Sequence, residues 1–500
     1  MREEKREECG VFGILRSDRN GTAEINNQSS APYIYKGIFS LQHRGQNGAG
    51  IATIDIYSNN KNNVKTIYIK KGANLVNRVF EEFDLNELKG NLGVGSVRYP
   101  TVGHSTDNDA QPFFSYNVRN GILLSHNGNL VNYKEIRENL INEGVEFSSD
   151  GDAEIMLKLL ELELKKRDDI VEAVKNLMNK VEGAYSDVVA TGYGELIAFR
   201  DPHGIRPLSF GSDKENKIVA FASESVAFDI NNLEKKWDLE PGEVVVVTTY
   251  DGGYHINRKI IKNEGRKHCF FEYVYFSRPD SYLDAGSVYN IRVKLGELLA
   301  SIEPVEADFV VPVPDTARPA ADGYSKVSGI PVAEGLIKNR YISRTFIMPL
   351  QKTRDDGVRF KFNLNKEIIK NKKIILIDDS IVRGTTLKKI IAFLKDGGAT
   401  EIHVRITAPQ IISPCFYGID MSNHKQLIAY QEKNDINKIR ERIGATSLVY
   451  LSQKKLVEAI GLKRTELCLA CLNGKYPTSI AQKLADSMKN SDNDKERYYE

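Results

Sequence analysis

Cysteine is scarce in this 500-residue chain: there are five, an odd number spread thinly. That excludes a dense disulfide framework and fits a reducing, cytoplasmic setting. An excess of either charge is missing as well, since 69 basic against 67 acidic side chains leave a formal net charge of +2. Nothing in that balance selects nucleic acid or a membrane surface as the partner. No apolar run reaches the roughly 18 residues that a membrane-spanning helix needs. The opening octet, Met-Arg-Glu-Glu-Lys-Arg-Glu-Glu, has no apolar core and is no secretory signal. Internal repeats and long low-complexity tracts are absent too, which sets aside solenoids and fibrous arrays. What remains is an ordinary apolar content and enough chain for about two to four domains. The polar end, 491–500, is expected to fray.

The first chemical signal runs from Ile374 to Thr386. Ile374, Ile375, Leu376 and Ile377 form a short aliphatic run typical of a parallel strand buried on both faces. Asp378 and Asp379 follow at its C-terminal edge, where open α/β sheets place ligands. Ser380, Arg383, Gly384, Thr385 and Thr386 then lead into a helical face of Leu387, Ile390, Ile391 and Leu394, closed by Gly397-Gly398. Gly384 and the threonines therefore fall at a helix N-terminus, whose free N–H groups and dipole favour a phosphate. The carboxylate pair suits a diol or a hard cation beside it. Upstream, the apolar run Phe309–Pro314 ends at Asp315-Thr316, a polar turn able to offer N–H groups to a pyrophosphate.

This motif resembles the phosphoribosyl-pyrophosphate (PRPP) motif of type I phosphoribosyltransferases. The resemblance implies that Asp378 and Asp379 contact ribose hydroxyls and Mg²⁺, and that Thr316 shares the Mg²⁺ site. It also implies that Asp315, Ser380, Arg383, Gly384, Thr385 and Thr386 help to hold PRPP. The basic stretch 335–346, with Arg354, Arg359 and Lys361, is then expected to be a lid that expels water over an anionic substrate.

The first half carries different chemistry. Cys9 heads the apolar segment Cys9–Ile14. If residues 1–8 are a leader removed on maturation, the α-amine of Cys9 sits beside its own thiol. An α-amine titrates near ~7.7–8.0, so it can take the thiol proton and later return it to a leaving group. Leu41–Gly45 reads as the end of a helical stretch. Arg98 stands just before a turn that contains Thr101, suited to gripping a carboxylate. Ser125–Asn129 reads as a turn in which the Asn127 amide and the Gly128 N–H face one oxyanion. Asp152 precedes the amphipathic helix 153–167, to cap it or to bind an ammonium group.

In this order the segments resemble the class II glutamine amidotransferase domain, an N-terminal-nucleophile hydrolase with an αββα sandwich, from Cys9 to about Val247. The resemblance implies that Cys9 attacks the glutamine amide while Asn127 and Gly128 stabilise the oxyanion. Arg98 and Thr101 would bind the glutamine carboxylate end and Asp152 the α-ammonium. Ser96 stands where the family usually has His, and Gln46-Asn47-Gly48 replaces its usual Gln-Glu-Ser, so glutamine affinity is expected to differ.

Four cysteines remain: Cys269, Cys415, and the Cys468-x-x-Cys471 pair. A tetra-thiolate site suits either zinc or an iron–sulfur cluster, and the residues alone do not separate them. Both halves together resemble the family of glutamine PRPP amidotransferases, in its precursor-processed, 4Fe–4S-bearing branch. That implies two domains: an amidotransferase over 9–250, its partner boundary falling between about Thr249 and Cys269, and a phosphoribosyltransferase with a parallel-sheet α/β fold over 265–490. It further implies Mg²⁺ as a cofactor, purine nucleotides as feedback inhibitors, a homo-oligomer (dimer or tetramer), and an apolar ammonia passage formed on lid closure. Two rival readings share half of the features each: another class II amidotransferase, and a PRPP-sensing regulator without catalysis.

Overall fold

The structure is a computed structural model that describes residues 9–17, 29–56, 65–99, 106–250, 253–339 and 361–490. Its first half holds two antiparallel sheets. In the seven-stranded one, β1 (Gly10–Arg16) lies between Ile218–Ala222 and β2 (Leu92–Arg98). In the six-stranded one, β3 (Ile122–Leu130) pairs along its length with β4 (Gly183–Thr191). Alternation in β1 decides which side chains go where. Val11 and Leu15 face inward against Leu123 and Val188 of the other sheet, while Phe12 and Ile14 face outward onto helix Ala31–Ser40. Gly13 lets the sheets close, since a Cβ there would stand 2.3 Å from Val188. The outer face of the second sheet is covered by α1 (Asp152–Lys166) and helix Ile170–Lys180. Four layers result, in the expected αββα order. The strand Gly253–Ile260 extends this second sheet, so its last strand lies beyond residue 250.

The second half is built on a four-stranded, all-parallel sheet. β5 (Phe309–Pro312) and β6 (Lys373–Asp378) are followed by Glu401–Ile406 and Ser447–Tyr450. Ile375 and Ile377 point into one apolar core and Ile374 and Leu376 into another, as an aliphatic run buried on both faces requires. Helix α2 (Val288–Ala300) lies so close to Arg318–Ser328 that a Cβ on Gly296 would stand 1.9 Å from the Ala320 carbonyl oxygen. The first of these cores also takes in Val131, Ala184 and Ile205, so the two halves are joined by shared apolar burial.

Two local expectations change. Ser125–Asn129 is not a turn but the middle of β3. Asn-Gly favours turns when nothing opposes it; here continuous pairing with β4 holds the segment extended. Asp152 is the first residue inside α1 rather than a cap before it, and Gly151 occupies the cap position. Among the described residues no helix is long and apolar enough to cross a membrane.

Candidate active sites

Cys9 is buried at the entrance to β1. Its carbonyl accepts from Arg44 Nε at 3.0 Å, and its thiol lies 3.6 Å from the Tyr99 carbonyl oxygen. Burial pushes the thiol pKa up, against the pull of the Tyr99 contact and of Arg98; Asp152 and His126 also act on it. Sequence-distant residues thus converge on one sulfur. Arg98 ends β2 and reaches toward the cap of α1, since a Cβ on Gly151 would stand 3.8 Å from its Nη2. Thr101 lies outside the described residues, as do Arg340, Arg354 and Arg359 and most of the basic stretch expected to form a lid.

The register of β3 explains how a strand can serve as an oxyanion donor. Its pairing with Phe113–Ser115 stops at Leu124, and among the described residues no strand lies beside the next ones on that edge. Alternate residues of a strand turn their N–H groups to the same edge. Gln111 takes up both backbone groups of His126, at 2.6 and 3.1 Å, so Gly128 presents its N–H on that same open side. Only glycine fits there: a Cβ would stand 2.1 Å from the Ala184 carbonyl oxygen. Asn127 Nδ2 is 3.4 Å from Ser223 Oγ, which itself accepts from the Val11 N–H at 3.0 Å.

The second site lies at the C-terminal ends of β5 and β6. Asp378 accepts from the Asp379 N–H at 2.9 Å, and Thr316 donates to Asp379 Oδ1 at 3.1 Å. The two motifs that were far apart in sequence therefore meet. Ser380 also donates to Asp379. Gly384, at φ +73°, opens the helix α3 (Thr385–Asp396), which places Thr385 and Thr386 in its first turn as expected. Asp315 is exposed and pairs with Lys338 Nζ at 2.7 Å. All these donors are hard oxygens, which fits Mg²⁺.

The two sites share neighbours. Tyr99, whose carbonyl meets the Cys9 thiol, sends its hydroxyl to Asp420 at 3.4 Å, and Asp420 lies 3.9 Å from Arg383 of the PRPP motif. Deeper down, Arg44 donates to Glu224 at 2.6 Å and to both oxygens of Glu272 at 2.7 and 3.0 Å. His43 pairs with Glu224 at 2.7 Å. Burial alone would raise the Glu224 pKa, but His43 and Arg44 hold it far below the usual range. Of these pairs, Arg44–Glu272 crosses from one half to the other.

Cys269, Cys415, Cys468 and Cys471 are all buried, and none is in a disulfide. Cys269 and Cys468 sit opposite each other in a short parallel pairing, and the fields of Cys415, Cys468 and Cys269 all act on the Cys471 thiol. The four thiols therefore lie near one another. No group of three His, Cys, Asp or Glu among the described residues forms a cage for a single ion. The sequence gives no sign of Gln111 or Asp187, which carry no motif; Ser223, in the stretch Ala222–Ser225 that also resembles the amidotransferase domain, had no role assigned, and neither had His126 or Arg44.

Similarity to known proteins agrees with this geometry. A glutamine amidotransferase domain model matches residues 99–229, and a phosphoribosyl transferase domain model matches residues 285–410. The amidophosphoribosyltransferase of Methanothermobacter thermautotrophicus is 44% identical over 97% of this chain and 97% of its own length. That of Bacillus subtilis is 41% identical over 95% of each. The solved structure of the Bacillus subtilis glutamine PRPP amidotransferase complexed with ADP and GMP is similar at a TM-score of 0.82 and 39% identity, covering 94% of this chain and 98% of that one.

Proposed function

The chain belongs to the amidophosphoribosyltransferase family, and on that premise we propose how its residues divide the work. The reaction has two halves: glutamine is hydrolysed to release ammonia, and ammonia displaces pyrophosphate from PRPP to give phosphoribosylamine, opening purine synthesis. This sets aside both rival readings.

Cys9, exposed as the first residue once 1–8 are removed, is the nucleophile and its α-amine the base. Arg98 and Thr101 hold the glutamine carboxylate, and Asp152 its ammonium. The Gly128 N–H and the Asn127 amide receive the developing oxyanion. Arg44 holds the Cys9 carbonyl, so the sulfur has a fixed origin. At the other site Asp315, Ser380, Arg383, Gly384, Thr385 and Thr386 hold PRPP, and Thr316, Asp378 and Asp379 would hold Mg²⁺. When bound, Mg²⁺ supplies positive charge for the departing pyrophosphate.

The observation that carries this reading is the Tyr99–Asp420–Arg383 bridge, which separates the thiol from the PRPP loop by a few side chains. Ammonia released at Cys9 can then reach the anomeric carbon without entering bulk water, where it would be protonated. The test is a competition between unlabelled glutamine and ¹⁵N-ammonium, with PRPP present. Glutamine nitrogen should dominate the product, and PRPP should stimulate glutamine hydrolysis. Free mixing of the external label would overturn the shared passage.

The four gathered thiols support a 4Fe–4S cluster over zinc. One zinc ion at about 2.3 Å from each sulfur needs a compact cage, whereas a multi-iron cluster spreads its ligands wider. Iron and sulfide analysis of anaerobically purified protein decides between them. The division into a leader (1–8), an amidotransferase (9–250, its last strand running to Ile260), a phosphoribosyltransferase (265–490) and a polar tail (491–500) follows the same reading. A cytoplasmic homo-oligomer, dimer or tetramer, inhibited by purine nucleotides fits it too; the Bacillus subtilis relative binds ADP and GMP.

A further inference from the structure

Behind Asp152 of the glutamine site lie two buried ionisable side chains that the roles above leave unexplained. His126 of β3 and Asp187 of β4 are directly opposite in the strand register. Both are buried, and His126 Nδ1 lies 2.8 Å from Asp187 Oδ1. On the other side of the ring, His126 Nε2 stands 3.5 Å from Asp152 Oδ2, too loose for a hydrogen bond. Both atoms are buried, and among the described residues neither has a hydrogen-bond partner. Buried polar atoms rarely stay unpaired, so this pair is poised to close by a small rotation. The ring cannot drift away, because Gln111 clamps the His126 backbone on both its N–H and its carbonyl.

We propose that His126, fixed by Asp187, is a positioning residue that aims the Asp152 carboxylate at the α-ammonium of glutamine. The inference rests on Asp152 as the ammonium ligand and names what orients it. Asp187 holds the ring from one side at 2.8 Å, and the other side of the ring faces Asp152 at 3.5 Å. The groups facing the ring agree: burial would drive the imidazole to neutrality, but Asp187 and Asp152 outweigh it and keep its pKa well above 6.5. Arg98, Asp152 and His126 all act on the Cys9 thiol, while burial pushes the Asp187 pKa up against the pull of His126, with Asp152 and Asp201 adding to the rise.

The test compares glutamine with glutaramate, which has the same amide but no α-ammonium, as hydrolysis substrates of the mature full-length enzyme. Asp187→Asn should lower kcat/KM for glutamine by about tenfold or more, the worth of one charged hydrogen bond. It should act mainly through KM, leave glutaramate turnover unchanged, and spare synthesis from added ammonium. An equal loss on both substrates, or no loss on either, would overturn the relay. Asp152→Asn tells the two readings apart. If it collapses the preference for glutamine while Asp187→Asn does not, Asp152 still binds the ammonium and only the relay fails. If Asp152→Asn leaves the preference intact, the ammonium assignment itself fails. Should Asp187→Asn not fold, the unaltered protein labelled with ¹³Cε1-histidine answers instead: the His126 imidazole should be doubly protonated at pH 7, and a neutral ring at that pH refutes the proposal.

Discussion

The two halves of this molecule bury their chemistry to different depths. Cys9, Arg98, Asn127 and Asp152 are all buried against two facing sheets; at the PRPP site Asp379 and Ser380 are buried, but Asp315, in the turn after β5, and Thr385, in the first turn of α3, are exposed. The contrast follows from what each site must handle. A thioester and neutral ammonia are both lost to water, so their site gains from a dry, preformed cage. PRPP arrives as a large hydrated polyanion, and its site must be open before it can close. Depth also dictates how each site is put together. The PRPP loop is one continuous strand–loop–helix, while the glutamine site is collected from at least five separate segments.

The sharpest way to break the comparison is to disable one site and read the other. Cys9→Ala should abolish glutamine-dependent synthesis and leave ammonia-dependent synthesis intact, whereas Asp379→Asn should remove both; steady-state assays with each nitrogen source show it. Loss of the ammonia reaction in Cys9→Ala would mean that the sites are not separable. Next in size is the buried ion network that joins the halves. Arg44→Met leaves Glu224 and Glu272 buried without their shared cation, which typically costs about 3–5 kcal/mol. Denaturant unfolding should register that loss.

Asn127→Ala comes third. Removing one oxyanion donor typically lowers kcat about 10²–10³-fold, here for glutamine only, with the ammonia reaction as the internal control. The smallest effect is a pH slope at the rim of the glutamine site. Burial pulls the Lys71 ammonium from 10.5 down to about 8. Between those values the unfolded chain still holds a proton that the folded chain has released. Stability should therefore rise with pH across that window and show no such slope below it. Lys71→Met should flatten the rise in denaturant midpoints measured from pH 8 to 10.

Legibility in the sequence tracked locality. Ile374–Thr386 was readable outright, because strand, acidic pair, glycine and helix face follow one another without interruption, and the structure matches them element by element. Cys9, Arg98 and Asp152 each had a physical reading of their own, but each alone also has an ordinary use, and the resemblance joined them into one site. Asn127-Gly128 misled, because a local turn preference met a neighbouring strand that was stronger. Asp187 gave no sign at all. It looks like any strand aspartate until β4 is laid beside β3 and a histidine appears opposite.

The amino-acid order alone therefore settled the two chemistries, a thiol amidase and a PRPP binder, since each leaves a short run of residues with its own physical logic. Tertiary structure decided how they meet: the open edge of β3, the His126 ring beside Asp152, the Arg44 network, and the gathering of four scattered thiols. Those features depend on which strands become neighbours. That pairing is chosen by the burial of whole sheet faces, and no short window of sequence contains it.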